Sequence, residues 1–194
     1  EIRDVDEQGV HVELEGGSLR AVVRPSSGAL RVSSRDHEVL GTDAEFDVGA
    51  SGEGAFTARA LRGALSVSGV PNQFQIQEGS RMVVSPDGQT EFGPIPDELL
   101  LAVDWPGDTR EVQAEVIGET DPGSMVRLDT TSGHTTVRAD HEGTFSAKVT
   151  LVEGVNEVQV TVTDLVGNTA GESRTVRRDS SSPAFSIGVE YEPP

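Results

Sequence analysis

The residues of this chain whose types suit them to chemistry are four histidines, one tryptophan and a large number of carboxylates. Two histidines hold a metal or relay a proton when they share a helix face at i, i+4 or meet in space. His11, His37, His134 and His141 have no such spacing. His134 and His141 fall at expected hairpin turns and His37 in an expected loop, so all four read as solvated turn residues. The 33 acidic residues guarantee carboxylate pairs by number alone, and without a cleft to gather two of them no glycosidase pair can be named. The stretch GASGEG (49–54) is glycine-rich, but it lies between two strand patterns with no helix behind it to cradle a phosphate. It reads as a flexible hairpin tip.

Two further stretches invite a ligand. DVDEQG, with Asp4, Asp6, Glu7 and Gly9, echoes an oxygen-rich calcium loop, but the later bidentate glutamate is missing at its expected spacing. It reads as an ordinary solvated loop. Trp105, followed by Pro106, has the shape of a sugar-stacking platform, and plugging one end of a β-sandwich is the preferred role. There is no GxSxG, HExxH or Walker loop, and no GxGxxG at a strand-to-helix turn. The absence of cysteine excludes disulfides, zinc–thiolate sites and thiol nucleophiles. The expectation is a protein that is not an enzyme, with no catalytic residue, no metal and no cofactor.

Charge narrows the partners. The net charge is −18, and dividing the chain at Pro96 leaves both parts acidic. Phosphate backbones and anionic lipid surfaces would be repelled, so neither nucleic acid nor membrane surface is an expected partner. No apolar run approaches the length of about 18 residues needed to span a bilayer. Residue 1 is Glu and no signal peptide is visible, which reads as a mature or excised portion of a longer protein.

The elements that must carry these residues are strands. Between residues 10 and 92 come GVHVEL, SLRAVV, ALRVSS, EFDV, AFTARAL, ALSV, QFQIQ and RMVV, separated by Gly- or Ser-rich turns. Alternation of this kind gives each strand one buried and one solvated face. Residues 85–97, with three prolines and two glycines, read as a connector rather than a strand, stiffened by Pro94 and Pro96. From residue 98 the pattern sharpens. Leu99, Leu101, Val103 and Trp105 alternate, then Val112, Ala114 and Val116, then Val126 and Leu128. Thr135, Val137 and Ala139 follow, then Phe145, Ala147, Val149 and Leu151, then Val158, Val160 and Val162, and last a weak strand around Val176. Seven short strands in this span predict an immunoglobulin-like sandwich. The expected organisation is a first domain over 1–93, a connector over 94–97, the sandwich over 98–179 and a tail over 180–194.

The motifs VIGETDPGSMVRL and ADHEGTFSAKVTLVEGVNEVQVTVTDLVGN resemble the bacterial immunoglobulin-like modules of surface and secreted proteins. The first part is similar, through VLGTDAEFDV, ARALRGALSV and IQEGSRMVVSPDGQ, to FecR-type domains, with two extra residues between Thr42 and Phe46. That resemblance implies a twisted β-solenoid-like domain outside the cytoplasm. The signalling role of some FecR-type proteins is not carried over, because the segments it needs are replaced here by the immunoglobulin-like module.

Two places in the second part attract a specific expectation. At EGVN the chain must cross between sheets. Gly154 is expected to supply an unusual φ, Asn156 to bond the backbone at the corner, and Val155 to point into the core. At DLVGN, Gly167 and Asn168 are both expected at positive φ in the last hairpin. In the tail, Phe185, Ile187, Val189 and Tyr191 alternate like a strand and are expected to contact a partner by strand addition. The functional expectation is a binding or scaffold module of a bacterial envelope or surface assembly, in the periplasm or at the cell surface, acting on protein partners. The competing reading is a carbohydrate- or cell-wall-binding accessory module.

Overall fold

The computed structural model describes residues 2–6, 9–69 and 74–181, and its regular structure there is entirely β. The tail residues Phe185, Ile187, Val189 and Tyr191 lie outside the described residues, as does Glu7.

Two sheets build the first part. One has the spatial order β1 (Ile2–Asp6), β2 (Gly9–Glu13), β4 (Ala29–Ser34), β5 (His37–Gly41), β8 (Leu65–Ser68) and β9 (Phe74–Ile76). The other runs β11 (Thr90–Pro94), β10 (Ser80–Val84), β7 (Phe56–Arg62), β6 (Ala44–Ala50) and β3 (Gly17–Val23). Between them lies one core, in which Phe46, Phe56, Leu65, Ile76 and Met82 are the largest fully buried side chains. The reason is the alternation: Phe46 and Val48 of β6 face Val39 and Leu65 of the opposite sheet, while Asp47 and Gly49 face away. The ladder between β2 and β4 is parallel, and every other ladder between described strands is antiparallel. Two layered sheets therefore account for this part.

Three local expectations are corrected here. Residues 90–94 are a strand, β11, and not connector. Pro94 ends it, and proline is tolerated because β11 is an edge strand with no further neighbour among the described residues to receive a donor. His37 starts β5 and is half-buried, with its ring 5.3 Å from that of Phe56, so it is neither a loop residue nor solvated. Asp4 and Asp6 belong to β1, which pairs with β2, so these two residues lie in a strand and not in a free loop.

The second part is an immunoglobulin-like sandwich. Its three-stranded sheet is β12 (Leu101–Asp104), β13 (Gln113–Thr120) and β16 (Thr144–Thr150). Its four-stranded sheet is β15 (Gly133–Arg138), β14 (Met125–Thr130), β17 (Gly154–Thr163) and β18 (Thr169–Arg178). The core is separate from the first: Ala114, Val116, Val126, Leu128, Phe145, Val158 and Val160 fill it, with Trp105 half-buried against its margin. Ile95 still donates to Gly79 of the first part, at 2.9 Å, and Leu99 already packs on the second core, so only residues 96–98 connect the two.

Candidate functional site

Three places in the fold assemble groups that do more than fill a core: the sheet-crossing corner at Asn156, a set of tight turns, and the face where the two parts meet.

At the corner the chain leaves β16 and enters β17 of the other sheet. Asn156 is fully buried. Its Oδ1 accepts the Val152 N–H at 2.8 Å, and its Nδ2 donates to the carbonyls of Val152 at 2.9 Å and Gly154 at 3.1 Å. One amide side chain thus serves backbone groups that neither ladder reaches. Gly154 sits at φ +94° with open space around it. Val155 is 69% exposed, against the expectation that it points inward. Side chains alternate along a strand, so burial of Asn156 forces its neighbour outward.

Four turns share one construction. Residues 51–55, 85–89, 140–144 and 164–168 each close with an N–H of the first residue donating to the carbonyl of the fifth, at 2.8 to 2.9 Å. In each the fourth residue is a glycine at positive φ: Gly54, Gly88, Gly143 and Gly167. In the last turn Asp164 Oδ1 accepts the N–H groups of Val166 (3.0 Å) and Asn168 (2.7 Å), and Asp164 Oδ2 accepts Asn168 Nδ2 (2.6 Å). The left-handed position belongs to Gly167 alone. Asn168 is not at positive φ; it re-enters the ladder opposite Asp164, where only extended backbone fits.

These turns gather where the two parts touch. The outward face of β6, β7 and β10 is itself covered: Asp47, Thr57, Arg59 and Val83 are buried. A Cβ on Gly49 would lie 2.0 Å from the Leu165 carbonyl oxygen, and one on Gly123 would lie 2.6 Å from Ala55 Cβ. Arg81 of β10 makes a two-bond ion pair with Asp121 of the second part, and Arg138 reaches Glu53 at 3.5 Å. GASGEG is therefore not a loose hairpin tip. Its turn is packed, with Ser51 and Ala55 buried and Arg35 bonded to the Gly52 carbonyl.

Beside this contact lies a polar cleft of about 700 Å³, lined among others by Arg59, Arg81, Asp97, Asp121, Asp164 and Thr169. Arg59 donates to Asp47 Oδ2 at 2.5 Å, and Arg20 donates to the same carboxylate at 2.7 and 3.2 Å. Burial pushes the Asp47 carboxyl up, but the hydrogen bonds and charges of Arg20 and Arg59 outweigh it and hold it below the usual carboxylate value. Arg59 Nε is buried without a hydrogen-bond partner. Burial holds the His37 imidazole below its ordinary value, against smaller opposing effects of Asp36 and the Gly69 backbone. Among the described residues no group of three or more His, Asp or Glu is placed to hold a metal ion. No helix there is long and apolar enough to cross a membrane.

With this geometry in hand, comparison with known proteins bears on the second part. Residues 97–180 match the family model of glucodextranase, domain B. That span is the immunoglobulin-like sandwich with its connector. No curated protein matches the chain. Among solved structures, the chain is similar to the fibronectin(III)-like modules of Clostridium thermocellum CbhA, at 14% identity over 97% of this chain and 99% of that one, with a TM-score of 0.37. Sequence reasoning missed the interdomain face, whose members, Gly49, Asp47, Arg59, Arg81 and Asp121, are scattered through unrelated segments. The one signal pointing to it was a charged residue, Arg59, at an outward position in the middle of an apolar strand.

Proposed function

We propose that the chain is a non-enzymatic scaffold and binding module of a bacterial envelope or surface assembly, working outside the cytoplasm through protein–protein contacts. The observation that carries this reading is the joint between the two parts. A three-residue connection, two glycines that admit close backbone approach and a two-bond Arg81–Asp121 pair hold two cores in one orientation. A module whose task is to present surfaces at fixed spacing needs such a joint. The first domain belongs in this proposal as FecR-like, on the motifs around VLGTDAEFDV and IQEGSRMVVSPDGQ. The alternating tail residues Phe185, Ile187, Val189 and Tyr191 belong in it as a partner-contact segment. Strong acidity in both parts argues against polyanionic partners, so the protein should pass through a heparin column unretained.

The test is crosslinking in the native envelope followed by identification of what is bound. Recovery of specific protein partners is expected, and recovery of polysaccharide alone would overturn the reading. A second reading has one observation in its favour, the match of residues 97–180 to glucodextranase, domain B: a carbohydrate- or cell-wall-binding accessory module, with the polar interdomain cleft as its seat. Retention on insoluble polysaccharide, lost on Arg81→Ala, would favour it.

A further inference from the structure

β11 is the outer strand of its sheet, and its hydrogen-bonding phase can be read from the bonds that flank it. Ser85 donates to the Gln89 carbonyl and Ile95 donates to the Gly79 carbonyl. In an antiparallel ladder the bonded pairs recur every second residue, so residues 89, 91, 93 and 95 face β10. The backbone groups of Thr90, Phe92 and Pro94 therefore face away from the sheet. Thr90 and Phe92 present an N–H and a carbonyl each, and Pro94 a carbonyl only. Among the described residues this is a short open edge with two donors and three acceptors.

The side chains beside that edge are unusual for a protein with so few aromatics. Phe92 stacks on Phe74 of β9, the outer strand of the facing sheet, with ring centroids 3.9 Å apart and planes at 28°. Phe74 and Phe92 are 42% and 43% exposed. The pair closes the open side of the sandwich from within and leaves an aromatic surface facing solvent. Three carboxylates flank it, and the Arg35 guanidinium near the Pro86 carbonyl is already bonded to the Gly52 carbonyl. Glu78 stands in the turn at one end of the edge, Asp87 in the turn at the other and Glu91 on β11 itself, all exposed. The sequence holds no basic residue between Arg81 and Arg110, and Arg81 is already paired with Asp121.

We propose that the β11 edge is a docking site for an extended segment of a partner protein, carrying aliphatic residues at alternate positions and basic residues between them. The segment adds as a further strand on Thr90 and Phe92. Its apolar side chains cover the Phe74–Phe92 pair, and its basic ones meet Glu91, Glu78 and Asp87. The inference rests on the reading of the chain as a protein-binding module and names the surface and the chemistry of its partner. A second copy of this chain is the poorer occupant, because its alternating tail brings Glu190 and Glu192 to an edge already acidic.

The probe is a synthetic ten-residue peptide of alternating arginine and valine, tested on the full chain. The controls are a peptide of the same composition with the arginines and valines in two blocks, and an alternating glutamate–valine peptide. Binding is read by fluorescence anisotropy, and amide exchange is followed at Thr90 and Phe92. The alternating basic peptide should slow exchange at both amides by about tenfold or more, as addition to an open strand edge does. Thr90→Pro removes one outward donor without touching the β10 ladder. It should keep the thermal midpoint and lose the binding, and Glu91→Lys should weaken it. Equal binding of the block peptide, unchanged exchange at Thr90 and Phe92, or full binding by a folded Thr90→Pro variant would each overturn the proposal. The envelope crosslinking separates this from the broader reading: protein partners mapped to other surfaces would leave the scaffold role standing and remove the edge from it.

Discussion

Gly49 lies against the backbone of Leu165 so closely that an added Cβ would sit 2.0 Å from the Leu165 carbonyl oxygen. Gly49 is on the first core's outer sheet and Leu165 in the last turn of the second domain, so a single absent methyl group lets the two domains meet. Gly49→Ala should force that turn away and cost about 1–3 kcal/mol, the usual range for overpacking. Gly93→Ala, in a strand with nothing within 4 Å of the new Cβ, should be neutral or slightly stabilising. Amide exchange at Leu165 and Val166 should rise in the first variant only. Equal behaviour of the two variants would remove the contact from the account.

The second domain has a core of its own, and its expected independence can be tested directly. Residues 97–180 expressed alone should give a β-type circular dichroism spectrum and one cooperative thermal transition. The midpoint should lie below that of the same domain in the full chain, because the Arg81–Asp121 pair is lost. A random-coil spectrum would show that the first domain is required for folding.

Asn156→Ala removes the partner of the Val152 N–H and of two carbonyls at a fully buried corner. Stranded backbone groups of this kind cost about 1–3 kcal/mol. Chemical denaturation of the 97–180 domain should show a loss in that range with the slope unchanged. An unchanged midpoint would mean that water replaces the amide fully.

Acid stability should depend on Asp47. Its folded pKa is depressed relative to the ordinary value of 3.8, so its contribution is complete above that value and is lost as pH falls through the folded one. Thermal midpoints measured from pH 6 to pH 2 should fall steeply below about pH 4. Asp47→Asn should begin lower, since Arg59 is then buried without a counter-charge, and should follow a flatter curve. Parallel curves would show that other carboxylates govern the acid limb.

His37 acts in a higher window. Burial depresses its folded pKa below the ordinary 6.5, so the unfolded chain takes up the proton first. Stability should therefore be complete above pH 6.5 and decline as pH falls from there through the folded value. His37→Gln should remove this shallow step while leaving the Asp47 limb in place. A step that survives the substitution would assign it to another group.

The strands of the second domain were legible because their signal is local. In FSAKVTL each residue of one parity is apolar, and a strand buries one parity by geometry alone. The corner at Asn156 was legible for the same reason, since Asn can bond its own neighbouring backbone within a few residues. Val155 was misplaced because the inward position went to the polar Asn, and only the ladder with β18 reveals which parity turns in. β11 was hidden by Pro94, whose missing donor matters in a central strand and is harmless at an edge; edge position is a property of the assembled sheet.

By itself, then, the sequence determined that this protein is β throughout its described length, that one segment is an immunoglobulin-like sandwich, and that no cysteine chemistry is available. Those properties follow from composition and from a period of two residues. The tertiary structure alone decided that Asp47 and Arg59 lie buried on the outer face of a sheet, that Gly49 faces Leu165, and that Phe74 meets Phe92 across two sheet edges. Each of these pairs joins segments whose separation along the chain carries no period. What brings them together is the sum of ladder registers and layer packing, to which every strand contributes and which no short stretch encodes.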